Sequence, residues 1–279
     1  MLIAQITDTH LLELKIEDEV AQLRADNLTA TVAAINNLNP AVDFVIHTGD
    51  MTHNHAQNEY ALAREILSDL HSPLYVVPGN RDSRANLRQA FANDGYLLGY
   101  DSEPILYAVN IQYMRLIGFD SLSSASNKGN VDQERLKWLD LNLAEYPDKP
   151  TAIIMHHPPI PITTSIYPWQ YESLEAGEKL RKIVSHHTQI VRLLCGHSHR
   201  PFIASFAGTE VSTVPSIATD LRLDPYPKPL THVPVFQVHK LEKSSDFFSQ
   251  SYIANMHCQY TPMNMPARLS KTLDQASKE

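Results

Sequence analysis

Asp43-Phe44-Val45-Ile46-His47-Thr48-Gly49-Asp50 is the stretch on which the fold turns. Phe44, Val45 and Ile46 read as a short buried strand, and the run stops on a glycine and an acid. Upstream, Leu28, Val32 and Ile35 recur at helical spacing, and Asn39-Pro40 stops that helix. Further upstream, Leu2 to Ile6 is apolar and strand-like and gives way to Asp8-Thr9-His10. Downstream, Tyr60, Ala63, Leu67 and Leu70 form one face of a second helix, closed by Ser72-Pro73. Leu74 to Val77 is a third strand, halted at Pro78-Gly79 before Asn80-Arg81-Asp82. This βαβαβ order predicts an α/β fold.

A β-rich middle follows. Ile105 to Val109 and Tyr113 to Phe119 are expected to pair across residues 110–112. Asp132 reads as the N-cap of a helix carrying Leu136, Leu139 and Leu143 on one side. Thr151 to Met155 and Ile190 to Cys195 are two further buried strands, with a helix over about residues 172–185 between them. After Pro201 short β-like pieces at 203–206, 210–213 and 235–239 alternate with turns, and Pro225, Pro227 and Pro229 mark an extended loop. Residues 1–215 are read as the catalytic core. Residues 216–279 are read as closing strands plus an accessory, oligomerisation region of the same domain, with the last dozen residues disordered.

The 279 residues are 43% hydrophobic, enough for a sizeable core. The net charge of −8, with no basic run, argues against a nucleic-acid partner, because phosphate contacts need clustered Lys and Arg. Cys195 and Cys258 make no disulfide framework and fit a reducing compartment. No apolar stretch approaches the ~20 residues needed to cross a bilayer, and no secretory signal is seen. A soluble, cytoplasmic chain without a membrane partner is the expectation.

Seven donors fall just past strand ends, where function gathers in open α/β sheets. Asp8 and His10 follow strand one, Asp50 strand two and Asn80 strand three. His156 follows the Thr151 to Met155 strand, and His197 and His199 follow the Ile190 to Cys195 strand. In Asp8-x-His10 and His197-x-His199, alternate residues of an extended chain would aim both donors one way. Gly49 and Gly196 let the backbone turn beside the site. Asp50, isolated at a central strand end, is the natural bridge between two cations. Any one of these pairs would more often be structural, and a Gly-Asp after a strand is usually a turn. Their joint placement is what points to a metal site. Carboxylate, amide and imidazole donors suit Mn, Fe, Co or Zn. Two such ions about 3.5–4 Å apart would clamp a phosphoryl group and generate a hydroxide nucleophile. His157 is expected to point away from the site, and His47 to be a satisfied core residue.

These segments, with His156-His157-Pro158-Pro159 and Cys195-Gly196-His197-Ser198-His199, resemble the calcineurin-like metallophosphoesterase superfamily. Together with Glu59-Tyr60 they are similar to its bacterial class III cyclic nucleotide phosphodiesterase and glycerophosphodiesterase group. The resemblance implies an α/β/β/α sandwich. By carry-over, Asp8, His10, Asp50 and His199 hold one ion, and Asp50, Asn80, His156 and His197 the other. It also implies a homo-oligomer, and Asn27 as a residue near the site.

One position departs from the family pattern. Arg81 stands where a histidine is usual, and a guanidinium cannot act as a general acid near pH 7 but can fork two hydrogen bonds onto a phosphate. Asn80, Arg81 and Asp82 are the catalytic candidates. Arg81, His53, Tyr167 and Trp169 are the substrate-binding candidates, the aromatics lying in the loop from Ile160 to Tyr171. The expected substrate is a small phosphodiester such as 3',5'-cyclic AMP or a glycerophosphodiester. A phosphoanhydride pyrophosphatase similar to UDP-2,3-diacylglucosamine pyrophosphatase is the rival that Arg81 raises. A phosphomonoesterase and a non-catalytic scaffold on the same fold are the others.

Overall fold

The computed structural model describes residues 1–101, 103–163, 169–223 and 225–254. Strands β1 (Leu2–Ile6), β2 (Phe44–His47) and β3 (Leu74–Val76) pair in parallel, with Ile3 opposite Phe44 and Val45 opposite Leu74. Helices α1 (Glu19–Asn36) and α2 (Gln57–Leu67) connect them. The chain returns late to this sheet. Strand β10 (Val235–Leu241) lies antiparallel to β1, and β11 (Phe247–Ile253) forms the edge, giving the order β11-β10-β1-β2-β3.

The second sheet runs β4-β5-β6-β7-β9-β8. It holds β4 (Leu106–Ile111), β5 (Met114–Phe119), β6 (Thr151–Ile154), β7 (Ile190–Cys195), β8 (Phe202–Phe206) and β9 (Thr209–Thr213). Period-two alternation splits its residues between two cores. Ala152, Ile154 and Leu194 join the core shared with the first sheet, α1 and α2. Ile153, Met155 and Leu193 join a second core with α4 (Gln133–Glu145) and α5 (Leu174–Ser185). The result is helix, sheet, sheet, helix, as the resemblance implied. Asp18, Asp132 and Ser173 cap α1, α4 and α5 by accepting from the amides of Ala21, Arg135 and Ala176.

Some expectations need correcting. The hairpin turn is Gln112-Tyr113, not 110–112, because β4 continues to Ile111, which pairs with Met114, while Gln112 takes φ +50°. Helix α3 (Arg84–Ala90) and strand β11 were not foreseen. The first is only 7 residues long. The second exposes the middle of its FFSQSYI run at a sheet edge, so it lacks the alternation of a half-buried strand. The Pro-rich loop contains a 3-10 turn, Lys228–Leu230. No helix among the described residues is long and apolar enough to cross a membrane. Cys258 and the last dozen residues lie outside the described residues.

Candidate metal centre

The loops after β1, β2, β3, β6 and β7 converge at one end of the two sheets. The first sheet supplies Asp8, His10, Asp50 and Asn80, and the second supplies His156, His197 and His199. Five of these seven residues have left-handed backbones, with φ of 51° at Asp8, 43° at His10, 54° at Asp50, 66° at His197 and 53° at His199. This corrects the extended geometry expected of the two x-spaced pairs: donors are aimed by left-handed turns rather than by strand alternation. Such conformations cost of order 1–3 kcal/mol each in non-glycine residues and persist only where the surroundings over-determine them. Gly49, at φ +93°, shows why it is glycine, since a Cβ there would lie 2.6 Å from Nδ1 of His156.

The donors fall into two groups joined by Asp50. In the first, Oδ1 of Asp8 is 3.2 Å from Nε2 of His199 and 3.8 Å from Nε2 of His10. The two histidine Nε2 atoms face each other at 3.1 Å. In the second, Nε2 of His156 has Oδ1 of Asn80 at 3.2 Å and Nδ1 of His197 at 3.2 Å. Asp50 reaches both groups, with Oδ2 3.6 Å from His10 and Oδ1 3.5 Å from His156.

Two features of this arrangement suit cations. Ligands about 2.1 Å from one ion stand about 3.0–3.4 Å from each other, close to the spacings here. In addition, Oδ1 of Asp8 is buried without a hydrogen bond, which costs an acceptor about 1–3 kcal/mol or more unless a cation meets it. The rings are pre-set for ligation. His156 donates Nδ1–H to the Thr48 carbonyl at 2.8 Å, and His199 donates Nδ1–H to the Leu221 carbonyl at 2.8 Å, so each turns Nε2 inward. Asp8 keeps Oδ1 inward because Oδ2 accepts from Thr7 Oγ1 and the His197 amide.

The electrostatics favour positive charge. Burial would raise the Asp8 carboxyl, but His199 and His156 hold it down at about 2. Asp50, equally buried, is held well below the carboxylate range by His156. Burial opposes a charged His156, yet Asp50 pushes its pKa up to about 9. Burial takes His10 and His197 down to about 3.

The neighbours sort by contact. His157 sits close to His156 and His197, but it accepts at Nδ1 from Ser121 (2.9 Å) and donates from Nε2 to the Asn127 carbonyl (3.2 Å). Both of its nitrogens are engaged within the protein. His47 is likewise satisfied, between Thr9 and the Gly49 amide. His53 stands at the rim, with Nδ1 3.4 Å from Nδ1 of His10. Arg81 donates its amide to Oδ1 of Asp50 at 2.7 Å, and its side chain is half-buried. Asn27 donates to Thr219 at 3.0 Å.

Asp82 is engaged on the far side of the candidate donors. It accepts from the amides of Gly79, Met51 and Thr52 and from the Tyr60 hydroxyl. Burial, then the Asp50 charge, raises its pKa to about 6. The carboxylate therefore ties the Asp50 and Asn80 loops together and orients its surroundings. The ring of Trp169 packs on α5, with Cη2 3.0 Å from where a Gly177 Cβ would stand. Tyr167 lies outside the described residues.

Of the hydrogen-bonding residues around the candidate donors, Glu59 stands in the Glu59-Tyr60 pair marked in the sequence, whereas Thr48 and Leu221 carry no such mark. Glu59 ties down the loop after Asp50 by accepting from Asn54 and Ala56, and Thr48 and Leu221 contribute only carbonyls. A carbonyl carries no residue-type signal, so only the fold reveals it.

A model described as calcineurin-like phosphoesterase matches residues 1–201. A probable glycerophosphodiester phosphodiesterase of Arcobacter nitrofigilis is 33% identical over 247 residues, covering 86% of this chain and 88% of that protein. A 3',5'-cyclic adenosine monophosphate phosphodiesterase of Escherichia coli is 26% identical over 222 residues, covering 79% and 77%. Among solved structures, a dimetal phosphatase from Danio rerio superposes with a TM-score of 0.66 at 14% identity, covering 91% of this chain and 96% of that one.

Proposed function

This chain belongs to the calcineurin-like phosphoesterase family, and from that premise we propose that it hydrolyses the phosphodiester bond of a small glycerol- or nucleotide-type substrate. The observation that carries the reading is Asp50, whose two carboxylate oxygens reach separate donor groups 3.6 and 3.5 Å away. Asp8, His10, Asp50 and His199 would hold one cation, and Asp50, Asn80, His156 and His197 the other. Manganese, iron, cobalt or zinc ions bound there would supply Lewis acidity and a hydrolytic nucleophile near neutral pH.

The chain's own residues do the rest. Arg81 sits one residue beyond Asn80, and its planar guanidinium is suited to forking onto non-bridging phosphoryl oxygens. His53, at the rim, has a pKa lowered by burial and by the cations of Arg24 and Arg81. It is therefore a neutral hydrogen-bonding group near pH 7, placed beside the first donor group. Asp82 holds the loops of Asp50 and Asn80 at fixed separation, which orients the substrate against both groups. Trp169 or Tyr167 as a substrate wall belongs to the same proposal, resting on the loop's aromatic composition. So does a cytoplasmic homo-oligomer joined through residues 216–279, for which the edge position of β11 and its exposed Phe248 and Ile253 are the support.

Arg81 favours one second reading, cleavage of a phosphoanhydride, whose phosphate leaving group needs no proton. Initial rates of manganese-loaded protein separate the two. The substrates are an activated phosphodiester, an activated phosphomonoester, cyclic AMP, a glycerophosphodiester and a nucleotide-sugar diphosphate. Fastest turnover of the diesters supports the proposal, and efficient cleavage of the diphosphate alone reverses it.

A further inference from the structure

Arg24, on α1, is 4% exposed and spends its guanidinium on two partners at the metal centre. Its Nη1 donates to the His10 carbonyl at 2.9 Å. Its Nε and Nη2 fork onto Asp220, with Nη2 2.7 Å from Oδ2. Asp220 belongs to the 3-10 turn Thr219–Leu221, and the next residue, Leu221, presents the carbonyl that receives His199 Nδ1–H. Both ligands so addressed, His10 and His199, have left-handed backbones that need outside support. The same segment holds Asp8, through Ser216 Oγ and the Ala218 amide, both donating to the Asp8 carbonyl. No comparable bond from Arg24 or Asp220 reaches Asn80, His156 or His197 among the described residues.

We infer that Arg24 and Asp220 are a positioning pair that aims His10 and His199 at one cation and leaves the other cation's ligands untouched. The inference rests on the two-cation reading proposed above. A guanidinium suits the task because three of its N–H groups act at once in a planar fork, which an ammonium cannot reproduce. Partners that orient metal ligands typically change affinity about 10–100-fold when removed.

The test is manganese alone, titrated into metal-free full-length protein and followed by the loss of the free-ion resonance signal. Wild type is expected to take up two ions. Arg24→Gln and Asp220→Asn should each bind one ion as wild type does and the other about 10–100-fold more weakly. The double variant should be no weaker than either single one. In a background carrying both His10→Ala and His199→Ala, Arg24→Gln should add no further loss, which locates the effect. Arg64→Gln, which breaks the remote 2.8 Å pair with Asp94, should change neither site. Two unchanged affinities in both variants would overturn the inference, as would an equal weakening of both sites. If Arg24→Gln loses its folded far-UV signal, the near-isosteric Asp220→Asn decides. Unfolding of both means that the pair holds the fold, and the inference fails. Wild type that binds no manganese sinks the two-cation reading itself, a result distinct from the others.

Discussion

Nε2 of His10 and Nε2 of His199 face each other at 3.1 Å, although one residue follows the first strand of one sheet and the other a strand of the opposite sheet. A cation held by both would tie the sheets together. Removing metal with a chelator should therefore lower the thermal midpoint, and adding manganese should restore it. Ligand at 100 times its dissociation constant stabilises a fold by about 2.7 kcal/mol. A melting curve unmoved by chelator would contradict this.

Asp50 is the carboxylate shared by both donor groups, and Asn80 closes the second. Asp50→Ala and Asn80→Ala should each lose most turnover, by at least about 10²-fold, while far-UV circular dichroism stays that of the folded chain. Neither residue is a member of the apolar cores. Near-wild-type rates in either variant would refute the ligand assignment.

Asp82 makes the opposite prediction. Asp82→Ala strands three amides and the Tyr60 hydroxyl in a buried place. It should cost about 2–4 kcal/mol in urea unfolding, as buried networks do when a shared acceptor is deleted. A loss below about 0.5 kcal/mol would show that Asp82 clamps nothing.

Arg81 binds Asp50 through its amide, so replacing its side chain leaves that bond in place. Arg81→Ala should lower kcat/KM by roughly 10²-fold at unchanged metal content, the cost of one preorganised charge-stabilising group. Unchanged kcat/KM would remove the guanidinium from the chemistry.

His239 lies under the site in a buried chain. It donates to Gln5 at 2.9 Å and accepts from Ser249 at 2.8 Å, and Gln5 donates onward to Thr48 and the Cys195 carbonyl. Burial, then Arg192, takes its pKa from 6.5 to about 3. The folded state keeps it neutral while the unfolded chain protonates below about pH 6.5. Its contribution to stability is thus full above pH 6.5 and declines as pH falls toward 3. Between pH 7 and pH 5 the metal-free wild type should lose about 2 kcal/mol more than His239→Gln does. Urea midpoints at the two pH values measure this, and equal losses would contradict it.

The legible parts of this chain are those whose signal lies in residue type. Phe44 to Ile46 read as a buried strand, and His and Asp residues gathered just beyond several strand ends jointly point to a metal site. Glycines beside them, such as Gly49, announce crowding. What stayed hidden depends on conformation or on backbone atoms. The left-handed turns at Asp8 and His199 carry only a weak residue signature: Asp and His are enriched at positive φ, but which of them adopt it is set by tertiary constraint. The carbonyls of Thr48 and Leu221 orient His156 and His199 whatever their side chains. Arg24 and Asp220 are separated by 196 positions in the sequence, and only the fold brings them together. The four donors that meet Asp82 come from three separate segments, so its partners too were visible only in the fold.

The most direct measurement pairs elemental analysis of the purified protein with hydrolysis of an activated phosphodiester before chelation, after it, and after manganese is returned. Two equivalents of metal per chain, with turnover lost on chelation and regained on reloading, is the result expected of a two-metal phosphodiesterase. Undiminished turnover in the chelated, metal-free protein would contradict it.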